Sequence, residues 1–422
     1  MTRRAQNHAS NFGISPRAAT VLLTVFMLAV AAAPAAQGQT YSVIHNFTGS
    51  DGDSPQAGLT FDKAGNLYGT TRYGGSHNAG TVFKVTRHGS GWLFTPLYNF
   101  TGGYDGSNPD SRVVFGPDGS LYGTTTFGGL YRSGVVFRLR PSASACKTAI
   151  CPWTETVLYS FTGQSDGAVP EGDLVFDQAG NIYGTTFAGG QGNCVPLFSG
   201  CGAVYELTPS QGQWTPTVLH TFTGLSDGGA PTSGLIFDQA GNLYSTTYAG
   251  GAYSLGTAFE LTPSGAGWTE SVLHDFAGGN DGANPEAGLV FDSSSNLYGV
   301  TAFGGGHIYG TAFELQASNG GFSYSILYNF GVESETPVPT LTLDSAGNLY
   351  GTAQSGGTGG VGAVFQLSPS GGSWNYTSLH DFTFSTGGYP LGNVIRDAIG
   401  NLYGTTPYGG TGQDGVVYEI TP

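Results

Sequence analysis

A short phrase, Asn-Leu-Tyr-Gly-Thr-Thr with small variations, occurs seven times in the chain and places tyrosines at Tyr68, Tyr122, Tyr183, Tyr244, Tyr298, Tyr350 and Tyr403. The spacings are 54, 61, 61, 54, 52 and 53 residues. A unit of this size cannot own a full core, so each copy has to bury its apolar face against the next. Each copy also carries three companion segments. In the first they read Gly58 to Asp62, Gly80 to Val85 and Pro96 to Phe100, around Asn66 to Thr71. All four are short, rich in Val, Phe, Tyr, Leu and Thr, and separated by Gly, Asp, Asn, Pro and Ser, as half-buried antiparallel strands require. With 72 Gly, 49 Tyr plus Phe and only 10 % charged residues among 422, neither a helical nor a disordered chain fits.

Four strands per unit and seven units predict an all-β, seven-bladed β-propeller of antiparallel blades. We name the strands A to D in that order. Asp62 to Asn66 then forms the A–B hairpin, with Asp binding the turn backbone and Gly supplying positive φ. The ends of the repeat are complementary. Residues 416–420 form a C strand with no D strand after it, whereas residues 41–47 read as a D strand with no C strand before it. The N-terminal strand is therefore expected to complete the C-terminal blade and close the ring, removing an exposed edge. Residues 39–422 form one propeller domain in this reading.

Residues 1–38 read as a signal peptide: Arg3, Arg4 and Arg17 precede an apolar run from Ala18 to Ala33 and a small-residue region through Gly38. The expected location is extracellular or periplasmic, with no stable membrane span in the mature chain. Export permits disulfides, and the expected pairs are Cys146 with Cys151 and Cys194 with Cys201, in preference to a zinc site. The net charge of -15 excludes nucleic acid as a default partner.

The phrases Asn-Leu-Tyr-Gly-Thr-Thr, Gly-Gly, Gly-x-Val-Phe-x-Leu-Thr and x-Val-Leu-His-x-Phe, in fixed order from Thr40 to Pro422, resemble the GloVer tandem-repeat proteins, a "choice-of-anchor" group of exported bacterial proteins. The double glycine and later tryptophan are more loosely similar to kelch blades. The resemblance implies an exported propeller. Many members end in a sorting anchor, which this chain does not show before Pro422, and the resemblance supplies no catalytic residues.

The five tryptophans, Trp92, Trp153, Trp214, Trp268 and Trp374, stand six residues before a His or Tyr of strand D, and Phe322 holds the same place. Such regular placement predicts packing of the outer strand, and the D-strand His45, His220, His274 and His380 are expected to be amphipathic plugs in the place of Tyr98, Tyr159 and Tyr328. The recurrent Asp-Gly-x-x-Pro of the D–A loops reads as a turn and not as a calcium site. No metal and no cofactor are expected.

Chemistry on a symmetric scaffold should show where symmetry breaks. The candidates are Arg72, Tyr73, His77, Arg132, His307 and Asp414, in or beside the B–C loops, which share a face with the D–A loops. These residues predict a binding surface for an extracellular glycan or protein on a non-catalytic propeller. The alternatives are an extracellular polysaccharide-active enzyme, lyase or glycoside hydrolase, and a structural envelope component. Charge is also uneven. Nine of the ten mature Lys and Arg residues lie between Lys63 and Lys147, a sector of +6, which suggests weak self-association of basic with acidic sectors. The strand-C residues Lys84, Arg138, Glu206, Glu260, Glu314, Gln366 and Glu419 read as one solvated position changing sign.

Overall fold

The computed structural model describes residues 39–141, 153–194, 199–265 and 267–422. Seven small antiparallel sheets form a ring, each with its strands in the order A-B-C-D. In the first blade these are Thr60–Phe61, Leu67–Thr71, Thr81–His88 and Gly91–Asn99. Strand A is shorter than the sequence suggests, with only two paired residues in every blade, whereas C and D run longer and, in the first, third, fifth and sixth blades, meet in a tight hairpin. The sixth blade has a fifth strand, Glu335–Pro337, paired with Leu349–Ser355. The expected closure is present: Thr40–Asn46 lies beside Val416–Thr421 in the sheet that also holds Leu402–Thr406 and Ile395–Arg396.

Strand B explains the repeated phrase. Its first five residues are buried in each blade. Leu67 enters the interface with the previous blade, beside Tyr403 and Val417. The Tyr68 hydroxyl donates to Asp62, which also accepts from Ala64 N, Asn66 N and Asn66 Nδ2 and so holds the A–B turn. A Cβ at Gly69 would lie 2.5 Å from the Phe83 ring, so the small residue keeps that ring in place, and the fourth copy, with Ser245 there, is the one departure. The threonine that follows stitches blades together. Thr70 Oγ1 donates to Ser111 O of the second blade (3.1 Å), Thr246 to Ala287 O (2.7 Å), and Thr405 to Ala57 O across the closure (2.7 Å). In the fifth copy Val300 lacks the hydroxyl, and Thr340 Oγ1 of the next blade accepts from Gly288 N instead (3.0 Å).

The apolar clusters lie between blades. One joins Tyr68, Val82 and Phe100 to Val113, Val135 and Phe137; another joins Phe47, Tyr403 and Val417 to Leu59, Leu67 and Phe83 at the closure. Four of the five tryptophans lie edge-on to the strand-B tyrosine of the preceding blade, Trp92 on Tyr403, Trp153 on Tyr68, Trp268 on Tyr183 and Trp374 on Tyr298, with Phe322 on Tyr244, and Trp214 packs against the cluster that holds Tyr122. That packing overturns one expectation. The strand-C charges are half-buried, and Glu419 is buried, because they partner the same tyrosines. Glu206, Glu260, Glu314 and Glu419 accept from Tyr183, Tyr244, Tyr298 and Tyr403, at 2.6 to 3.0 Å. Lys84 instead lies over the Tyr68 ring at 5.3 Å.

Cys194 and Cys201 form a disulfide, with Cys201 fully buried. It clamps the long B–C loop of the third blade, where Gly189–Asn193 is extended and bridges to Gly200. The pair Cys146 and Cys151, like residues 1–38, lies outside the described residues. Closing so short a loop is worth about 2 kcal/mol. Replacing Cys194 and Cys201 by Ser is therefore expected to lower stability by about that amount and no more. Denaturant titration checks this, and an unchanged midpoint would refute it.

Candidate functional site

Five of the seven D–A loops carry an aspartate that caps the turn, Asp51, Asp105, Asp166, Asp227 and Asp281, and Thr386 takes that place in the seventh. Asp105 accepts from Thr101 N (2.8 Å) and from the Tyr98 hydroxyl (3.0 Å), Asp166 does the same for Thr162 and Tyr159, and His45 pairs with Asp51 at 2.9 Å. These contacts show the D-strand His and Tyr side chains as plugs that fasten the loop. Burial holds His45 and His220 below the usual imidazole range and His380, stacked on Tyr41, at about 4. The third and fourth of these loops read Gly-x-Ser-x-Gly, at Gly163 to Gly167 and Gly224 to Gly228. Both are Asp-capped turns followed by a two-residue strand, with no helix after the serine as a nucleophile elbow requires.

Past the cap the backbone enters the left-handed region at one residue in all seven blades: Ser54, Asn108, Val169, Ala230, Asn284, Thr336 and Tyr389, with φ between 52° and 59°. For Val169 and Thr336 that conformation is costly. Proline follows each, and the next residue reaches the axis. Gln56, Asp110, Glu171, Thr232, Glu286, Val338 and Leu391, one from each blade, thus line an axial mouth of about 220 Å³ on the B–C and D–A face, together with Arg72. Deeper along the axis lie Arg112, Asp173, Thr340 and Asn393, with Arg112 and Asp173 paired at 3.0 Å.

The ring is chemically lopsided. Acids stand in the second, third and fifth blades, and Val338 and Leu391 form an apolar arc in the sixth and seventh. Arg72 donates to Gln56 Oε1 (3.1 Å), and its Nε faces Asp110 Oδ1 at 3.6 Å. Both of those atoms are buried without a hydrogen-bond partner, and the Asp110 side chain is only 9 % exposed. Asp110 Oδ2 accepts from Thr126 (2.7 Å). Desolvation raises the Asp110 carboxyl to about 6 despite Arg72 and Thr126. Desolvation, with Asp110 and Glu286 adding like charge, raises Glu171 to about 8, and burial also raises Glu286.

Of the six residues singled out in the sequence, only Arg72 reaches this mouth. Tyr73 lies beside it, with the guanidinium 5.4 Å from the ring centroid. His77 is exposed on its loop and bonded to Ser76 Oγ (2.9 Å), and His307 is exposed on the fifth blade. Arg132, at φ 63°, lines a separate cleft in the second blade with Tyr104, Phe127 and Leu130. Asp414 stands on the seventh blade, where burial and the nearby Asp53 and Asp51 raise its carboxyl. The six share a face but not a point. Sequence reasoning missed the mouth because it stopped at the proline. The signal was the residue after it, which changes type from copy to copy inside an otherwise constant loop.

The face as a whole is distinctive. Among the described residues fourteen large apolar side chains are exposed, and eleven of them stand on B–C and D–A loops, including Tyr104 (75 %), Ile308 (72 %), Leu225 (71 %), Tyr253 and Tyr131. The other three are Leu93, Val218 and Ile399. The same loops carry thirteen carboxylates against three arginines.

Comparison with known proteins adds the family and the fold. The Gloeobacter/Verrucomicrobia repeat matches residues 24–198, 197–375 and 323–422. No curated protein matches the chain. Among solved structures, a candidate 6-phosphogluconolactonase from Bacteroides fragilis is similar at 16 % identity, over 82 % of this chain and 87 % of its own, with a TM-score of 0.50. One from Bacteroides uniformis is similar at 17 %, over 83 % and 89 %, with a TM-score of 0.49. At 16 % identity the Bacteroides fragilis likeness is one of fold alone.

Proposed function

The chain belongs to the Gloeobacter/Verrucomicrobia repeat family, and from that premise we propose that it is an exported, non-catalytic binding propeller whose B–C and D–A face recognises an extracellular glycan. The observation that carries this is the placement of eleven of the fourteen exposed large apolar side chains on one face. Scattered single apolar residues are normal on a surface, but their gathering on one face marks a contact region. Seven of the eleven are aromatic, Tyr73, Tyr104, Tyr131, Tyr253, Phe303, Phe384 and Tyr408. Their rings offer flat apolar faces to sugar rings, while loop carboxylates accept from hydroxyls. The excess of acids on these loops, and the use of Arg72 by Asp110 and Gln56, fit a neutral or amino-bearing glycan better than an acidic one.

The test is a glycan array with residues 39–422, followed by the Tyr104→Ala, Tyr131→Ala, Tyr253→Ala triple variant. Affinity should fall at least about tenfold with the melting temperature unchanged, because exposed aromatics contribute to contact and little to folding. Leu93→Ala with Ile399→Ala serves as the off-face control. Equal binding by the triple variant and wild type would overturn the reading, as would capture of a protein in place of any glycan.

A further inference from the structure

We infer that the axial mouth is a binding site for an organic ammonium group, held by Glu171, Asp110 and Glu286 with its alkyl portion against Val338 and Leu391. This site is distinct from the glycan contact proposed for the surrounding loops, and it rests on different residues.

Three features carry the inference. The first is a cavity built by every blade yet divided into an acidic arc and an apolar arc, which is the form an amphipathic cation requires. The second is an electrostatic deficit. Three carboxyls face one guanidinium, and Arg72 is already committed to Gln56 and Asp110. The buried Asp110 Oδ1 accepts no hydrogen bond, and the Glu171 carboxyl receives none from the described residues. The third is size and spread. A mouth of about 220 Å³ holds roughly seven water volumes at ~30 Å³ each. Its acids come from three separate blades, and among the described residues no three His, Cys, Asp or Glu side chains converge closely enough to ligate a metal ion. A group the size of a butylammonium fills that space; a bare cation does not span it.

The charged and titratable groups facing Glu171 are Asp110, Arg72 and Glu286, with Tyr248 beside Glu286 and the Arg112–Asp173 pair deeper along the axis. Near neutral pH Glu171 retains its proton because burial strips its carboxylate of water and the neighbouring Asp110 and Glu286 add like charge. An arriving ammonium supplies the missing positive charge, so the Glu171 proton passes to buffer as the cation binds. No bond to the ligand forms or breaks.

The experiment is isothermal titration of the 39–422 chain with n-butylammonium chloride at pH 7 in phosphate and in MOPS. Saturable binding at or below about 10 mM, with a heat that differs between the buffers by the proton released, is expected, and n-butanol and butyrate should give none. Glu171→Gln should weaken binding about tenfold and remove the buffer dependence. Glu286→Gln, a second isosteric change, should weaken it without removing that dependence. Absence of saturable binding to the folded chain overturns the inference, as does equal binding of butanol, competition by calcium chloride, or an unchanged buffer dependence in Glu171→Gln. Because no glycan enters the titration, failure here leaves the glycan reading standing, and failure on the array leaves this one standing.

Discussion

Deleting residues 39–47 is expected to leave a chain that cannot close. The strand Thr40–Asn46 supplies the outer edge of the seventh blade. Its side chains also fill the grooves on both sides. Tyr41 stacks on His380 and contacts Phe382 of the sixth blade, and its hydroxyl donates to Thr386 O, while His45 stacks on Phe94 of the first. Just beyond the strand, Phe47 is fully buried against Phe83, and its amide donates to Gly415 O (3.0 Å). Loss of this apolar burial alone should cost at least about 5 kcal/mol, a large part of the stability of an ordinary domain. The exposed edge of Val416–Thr421 would then template aggregation. We expect insoluble protein, or a melting temperature at least about 10 °C lower, and partial rescue by a synthetic 39–47 peptide added during refolding. Scanning calorimetry decides it, and a soluble deletion variant melting with the parent would contradict the closure.

Stability is expected to fall on the alkaline side of neutrality. Burial raises Asp110 to about 6, Glu270 to about 7, and Glu155 and Glu171 to about 8. A carboxyl with a raised folded-state pKa binds its proton more tightly folded than unfolded. Its stabilisation is full below the unfolded value and lost as pH rises through the folded one, here between about 4.5 and 8. The lowered imidazoles of His45, His220 and His380 act oppositely, losing stability as pH falls below about 6.5, and the lowered Asp62, Asp118, Asp344 and Asp381 do so only below about 4. Above pH 6.5 only the raised carboxyls remain in play. The melting temperature should drop by about 5 to 10 °C between pH 6 and 8.5, and Glu155→Gln, Glu171→Gln, Glu270→Gln together should flatten the slope. A wild-type profile that is level or rising over this range would refute the assignment.

The blades, their strand order and the closure were legible in the sequence because each follows from a local pattern repeated seven times. Leu67, Tyr68, Gly69 and Thr70 each answer a single packing or hydrogen-bond demand, and the same demand returns in the next copy. What failed was reading residues whose neighbours belong to another blade. Glu419 looks solvated in its own strand, but Arg87 and Trp92 of the first blade close over it, the indole Nε1 lying 3.4 Å from its carboxylate. The axial mouth was hidden for the same reason. Gln56, Asp110 and Glu171 are 54 and 61 residues apart and look like three ordinary turn residues, and only ring closure makes them neighbours. Symmetry breaking singled out the loop residues around His77 and His307, and not the residues after the prolines, which also change type from copy to copy but become neighbours only when the ring closes.

The left-handed residue before each proline separates two kinds of inheritance in this protein. Upstream and downstream of it, side chains are fixed by blade contacts, and a change in one repeat has to be answered in its neighbour. The residue after the proline meets the lumen and can be exchanged one blade at a time. Seven such positions form a register that single substitutions can permute without touching the contacts between blades. Replacing Val338 by Glu would place a carboxyl on the apolar arc, and so redraw the polarity of the mouth at one blade while leaving the strands of that blade where they were.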